Sequence, residues 1–222
     1  MNGSIVRQLI AKDLFLLRPM MVGALLIGGA GIALMAFGET QFFVGWIVVF
    51  IAITLLGIFA TAVGVLAERK DRAHLFVLTL PVSPWQYLRA KLAAGAIAFF
   101  VPWTILLAAA ITLIAGTGIP DGLIPFLTML FCYVVCYYSA YLGMSLVTDS
   151  PIWSTLVIIV GNTAPIFLIP AFLRVSGIGS DFVPPDAGWT ATVLGILASE
   201  IAFSAAATGV ALFVRSRQRD LI

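Results

Sequence analysis

The sequence predicts an all-α, polytopic membrane protein, and three observations carry that prediction. The chain of 222 residues is 62% hydrophobic and 10% charged, with a mean hydropathy of +1.13, against roughly 25% charged residues in soluble domains. Six apolar runs recur along it, each near the roughly 20 residues that a helix needs to cross a hydrocarbon core about 30 Å thick. Eleven of the twelve Lys and Arg residues lie at one end of those runs.

The expected spans are 19–37, 42–66, 92–115, 123–147, 152–173 and 189–214. They are continuously apolar, with no period-two alternation, which argues against a β-barrel and for a backbone that closes its hydrogen bonds within helices. The connections are too short for a soluble domain. The whole chain, 1–222, is therefore expected to be a single transmembrane domain.

Ahead of the first span, Ile5, Val6, Leu9, Ile10, Leu14 and Leu17 recur at helical spacing, interrupted by Arg7, Lys12, Asp13 and Arg18. This reads as an amphipathic helix over 1–18, lying on the membrane interface and turned inward near Pro19. The alternative is a helical extension of span one. Pro19 after Arg18 favours the interfacial helix, because proline breaks a helix interior and starts a new helix readily. The basic stretch ahead of an apolar run resembles a secretory leader, but the run is of span length and lacks a small-residue cleavage site.

Orientation follows from the cations. Arg7, Lys12 and Arg18 precede span one; Arg69, Lys70, Arg72, Arg89 and Lys91 lie between spans two and three; Arg215, Arg217 and Arg219 follow span six, leaving Arg174 alone on the other side. The positive-inside rule makes the basic face cytoplasmic, and an even number of spans puts both termini there, in a cell (inner, cytoplasmic) membrane.

The connection at 67–91 is the most distinctive segment. It opens on a charged knot, Glu68-Arg69-Lys70-Asp71-Arg72, then breaks at Leu80-Pro81-Val82-Ser83-Pro84. A short helix is expected after the break, capped by Ser83 with Pro84 in its first turn. Its Trp85, Tyr87, Arg89 and Lys91 suit the headgroup region. The bland reading is a loop that anchors two spans.

The order of Ala11-Lys12-Asp13-Leu14, the charged knot at 68–72, Leu80-Pro81-Val82-Ser83 and Tyr87-Leu88-Arg89-Ala90-Lys91-Leu92 resembles the ABC-2 type permeases, the membrane subunits of type V ABC transporters. The resemblance covers the whole chain in topology; its residue-level match is confined to the N-terminal helix and this loop. It implies a permease subunit of an ATP-driven transporter, an exporter by the family plan. A separately encoded ATPase would dock on Lys12, Asp13, Glu68, Arg69, Lys70, Asp71 and Arg72, with 67–91 as the coupling loop. It also implies a second permease subunit, identical or paralogous, and extracellular re-entrant helices in the region 174–188. That region is short here and holds Pro184-Pro185, which does not suit a full pair of such helices. No G-x-x-x-x-G-K-[ST] phosphate loop occurs in the chain, so ATP and magnesium are expected on the partner, and no cofactor or nucleic acid on this subunit.

Within the spans, Glu200 is the one ionisable residue at depth, with Ser204 a turn further on. It can line a polar path, fix a helix contact or carry a proton. Asn162 is the other polar candidate in the membrane. Cys132 and Cys136 share a helix face as free thiols, and a lone His74 on the loop makes no zinc set with them. Glu39, Asp121 and Asp149 read as solvated helix ends. Glycines 23, 28, 29, 31, 57 and 64 allow close helix approach. Pro165 and Pro170 allow a kink or break in span five.

Two other classes compete with the permease. A scaffold or assembly factor would need no nucleotide and no polar path. An intramembrane lipid-modifying enzyme would need clustered catalytic groups at depth, whereas only Glu200 with scattered Ser and Thr is present.

Overall fold

The computed structural model describes residues 2–63, 84–148, 150–175 and 188–217. Every regular element among them is an α-helix: α1 (Asn2–Met35), α2 (Glu39–Thr61), α3 (Pro84–Gly116), α4 (Leu123–Val147), α5 (Pro151–Thr163), α6 (Pro165–Val175) and α7 (Ala191–Arg217). Six stretches are long and apolar enough to cross a membrane, α5 and α6 together making the fifth. The fourth span matches the expected 123–147. The second is α-helical to Thr61 and continues as a π turn through residues 62–63; the expected end at 66 lies outside the described residues.

The expected break at Pro19 does not occur. Helix α1 runs from Asn2 to Met35 with Pro19 inside it, so the N-terminal segment is a helical extension of span one and not a separate helix. The reason lies in its buried face. Asp13, Leu17, Ala24, Gly28, Ile32 and Met35 form one continuous stripe at helical spacing across the proline. Keeping that stripe aligned outweighs the single bond that Pro19, without an N–H, fails to make to the Phe15 carbonyl. In the same way, the short helix expected before Leu92 is the first two turns of α3, which continues unbroken to Gly116.

The chain forms two compact units, residues 1–106 and 107–222. In the first, α1 and α2 pack as an antiparallel hairpin. The turn between them is tight, with Phe37 N–H donating to the Leu34 carbonyl (3.2 Å) and Gly38 at φ 143°, a conformation that a side chain would strain. The helices cross backbone to backbone at Gly31 and Gly45. A methyl group at Gly31 would lie 2.7 Å from the Gly45 carbonyl oxygen, and one at Gly45 would meet the Gly31 carbonyl and Met35. Small residues at such crossings supply the van der Waals contact that drives helix association in lipid. Phe42, Trp46, Val49, Ile53, Leu56 and Ala60 continue the buried stripe along α2.

In the second unit α4 is the central helix, buried along most of its length. Helix α7 runs parallel to it: Cys136 meets Glu200 and Ser204, and seven residues further on Gly143 meets Ala207 and Ala211. Parallel packing is what alternate crossings require of spans four and six. Span five divides at Ala164, where Pro165 starts α6. Pro170, by contrast, sits inside α6 without ending it.

Candidate functional site

Two polar constellations stand out in this apolar chain, one in each unit. The first is in the N-terminal parts of α1 and α3. Lys91 Nζ lies 3.2 Å from Asp13 Oδ2, and both side chains are buried, 8% and 7% exposed. Lys91 also stands over the Tyr87 ring one turn earlier, 5.8 Å from its centroid. The other carboxylate oxygen of Asp13 lies 3.6 Å from the ammonium of Lys12, a side chain that is 58% exposed. A buried charge needs a close counter-charge to be tolerated, and Lys91 is the partner that lets Asp13 turn inward.

The structure thus separates two neighbours that the sequence reading took together. Lys12 presents its ammonium to the surroundings, whereas the Asp13 carboxylate faces the protein. Glu68, Arg69, Lys70, Asp71, Arg72 and His74 lie outside the described residues, as do Ser83 and the Pro-rich stretch of 176–187.

The second constellation lines α4 on its faces toward α7 and α5. Ser204 Oγ–H donates to the Glu200 carbonyl (2.9 Å) and lies 3.3 Å from Cys136 Sγ, whose thiol lies 3.1 Å from the same carbonyl. The Glu200 carboxyl is within electrostatic range of Cys132, Tyr133 and Cys136, with Oε2 buried and without a hydrogen-bond donor among the described residues. On the α5 side, Asn162 Nδ2–H donates to the Ile158 carbonyl (2.8 Å) and to the Tyr137 hydroxyl (3.3 Å). The Tyr133 hydroxyl donates to the Gly161 carbonyl at 2.6 Å.

Glu200 and Ser204, already bonded to each other along α7, both meet Cys136 of α4, Glu200 through its backbone carbonyl, while Asn162 engages α4 one residue along, at Tyr137. The thiols stay free, Cys132 half-buried and Cys136 buried. No cluster of three metal-ligating side chains occurs among the described residues. Sequence reasoning missed Lys91 as the partner of Asp13, and missed Tyr133 and Tyr137. The spacing of Cys132, Tyr133, Cys136 and Tyr137, polar groups on successive turns of an apolar run, was the available signal for the latter.

The described residues form a multi-pass set of apolar helices with buried polar seams. A family model described as ABC-2 family transporter protein matches residues 8–212. The chain belongs to that family, and the match spans both constellations. No curated protein and no solved structure matches the chain.

Proposed function

We propose that the chain is the permease subunit of an ATP-driven ABC exporter, and that its part is binding and movement while a separate ATPase breaks the phosphate bond. The observation that carries this reading is the family match over 8–212, in a chain whose sequence has no phosphate-binding loop of its own. On this reading the hydrolytic engine, holding ATP and magnesium, is a separate ATPase subunit. The distribution of cations supports a cytoplasmic site for that partner, with both termini on the same side of the cell membrane.

The proposed contact set is Lys12 with Glu68, Arg69, Lys70, Asp71 and Arg72. Charges of both signs on one loop favour a specific partner through complementarity. Asp13 contributes through Lys91, because its carboxylate is already engaged. Six spans leave room for only a narrow path, so two permease chains, identical or paralogous, would enclose it. Glu200, Ser204 and Asn162 are the proposed polar points on that path.

The test is purification of the tagged chain in mild detergent from its native membrane. A co-purifying protein with a phosphate-binding loop, lost when Glu68 and Arg69 are both changed to Ala, supports the reading. Persistent absence of such a protein under several gentle conditions overturns it.

A further inference from the structure

Two contacts align α1 with α3, and they have the same register. Asp13 pairs with Lys91, and fifteen residues later on each helix Leu106 lies against Gly28, its Cδ1 2.6 Å from where a methyl group would project. Equal spacing means that the helices run parallel, touching at two points about 22 Å apart along their axes. The upper contact is apolar and allows sliding. The lower one is a directional attraction between two buried charges.

Depth gives the lower contact its meaning. From Asp13 to the end of α1 at Met35 the helix rises about 33 Å, and from Lys91 to Gly116 about 37 Å. Both distances slightly exceed the roughly 30 Å hydrocarbon core, so the ion pair sits at the cytoplasmic headgroup level. It also lies only two turns into α3, directly after the connection at 64–83.

We propose that Asp13 and Lys91 are a positioning pair, a permanent electrostatic joint that makes the N-terminal part of α1 and the base of α3 one mechanical body. The function assigned to this joint rests on the permease reading above. Movement delivered to the start of α3 then reaches α1 at the same time, and through the Gly31–Gly45 crossing it reaches α2. The joint stays closed throughout the cycle, because opening it would give up the closest counter-charge of a buried carboxylate and a buried ammonium. Lys12, 58% exposed beside the pair, is the member of this cluster that a partner would meet.

The experiment measures the distance between spin labels at Gln8→Cys and Arg89→Cys in a background lacking Cys132 and Cys136. The full chain is used in nanodiscs, alone and with its co-purified ATPase trapped by ATP and vanadate. One narrow distribution is expected, unchanged by trapping. Asp13→Asn and Lys91→Gln should each widen it roughly twofold, and the swap Asp13→Lys with Lys91→Asp should narrow it again. Should a single variant fail to fold, the double neutral variant strands no charge and should fold with the wide distribution. A swap that stays wide, a narrow double neutral variant, or a native distance that shifts on trapping overturns the joint. The nanodisc arm needs no ATPase, so absence of that partner would overturn the permease reading and leave the result on the joint standing.

Discussion

The hydroxyl of Tyr133 donates to the carbonyl of Gly161 at 2.6 Å, and Gly161 is the residue whose carbonyl an unbroken helix would have bonded to the N–H of residue 165. That residue is Pro165, which has no N–H. The side chain on α4 therefore supplies the donor that the break between α5 and α6 removes. In lipid this substitution is what makes a broken span tolerable.

Replacing Tyr133 by Phe should destabilise the chain by about 1 kcal/mol, the scale of interhelical hydrogen bonds in membranes. The same change made in Pro165→Ala should cost less, because residue 165 can then donate to Gly161 itself. Reversible unfolding of the four variants in a double-mutant cycle reads the difference. Equal costs in both backgrounds would refute the link.

Two glycines on the first hairpin should respond in opposite ways to the same change. Gly45→Ala drives a methyl group into the Gly31 carbonyl and should cost about 1–3 kcal/mol. Gly29→Ala meets nothing within 4 Å and should be neutral or stabilising by up to about 1 kcal/mol through helix propensity. Thermal unfolding in detergent, with the two variants side by side, checks both signs.

Glu200→Met should leave the fold as stable as the parent or more so, by about 1 kcal/mol, since Oε2 is buried without a donor among the described residues. Transport-coupled ATPase activity should nevertheless fall if Glu200 is a point on the path. A loss of stability instead would mark the carboxyl as a structural contact.

Thiol reagents should distinguish the two cysteines of α4. Cys132 is half-buried, whereas Cys136 is buried between Ser204 and the Glu200 carbonyl. A small methanethiosulfonate should label Cys132 first, and mass spectrometry of the peptide reads the order. Ser204→Ala should raise the rate at Cys136 by removing one of its partners.

The spans were legible because lipid demands long apolar runs, and α4 was bounded correctly at both ends. Prolines were less legible. Pro19, Pro102 and Pro170 lie inside continuous helices, while Pro165 starts a new one. What separates them is tertiary: α1 keeps one buried stripe across Pro19, and Tyr133 takes up the carbonyl left by Pro165. Lys91 could not be assigned to Asp13 because nothing local joins residues so far apart. Glu200 and Ser204 were visible as polar residues one turn apart in an apolar run, but the α4 groups that meet them were not.

The buried pair of Asp13 and Lys91 also carries a consequence for biogenesis. Asp13 leaves the ribosome well before Lys91, which follows only after the rest of α1, α2 and the connection have been made. During that interval the carboxylate has no buried partner and is best accommodated at the hydrated membrane surface. The hairpin of α1 and α2 can form early through its glycine crossing, which needs no charge. Arrival of α3 then draws Asp13 inward, so the order of synthesis gives this unit a late locking step that a simultaneous collapse would not have.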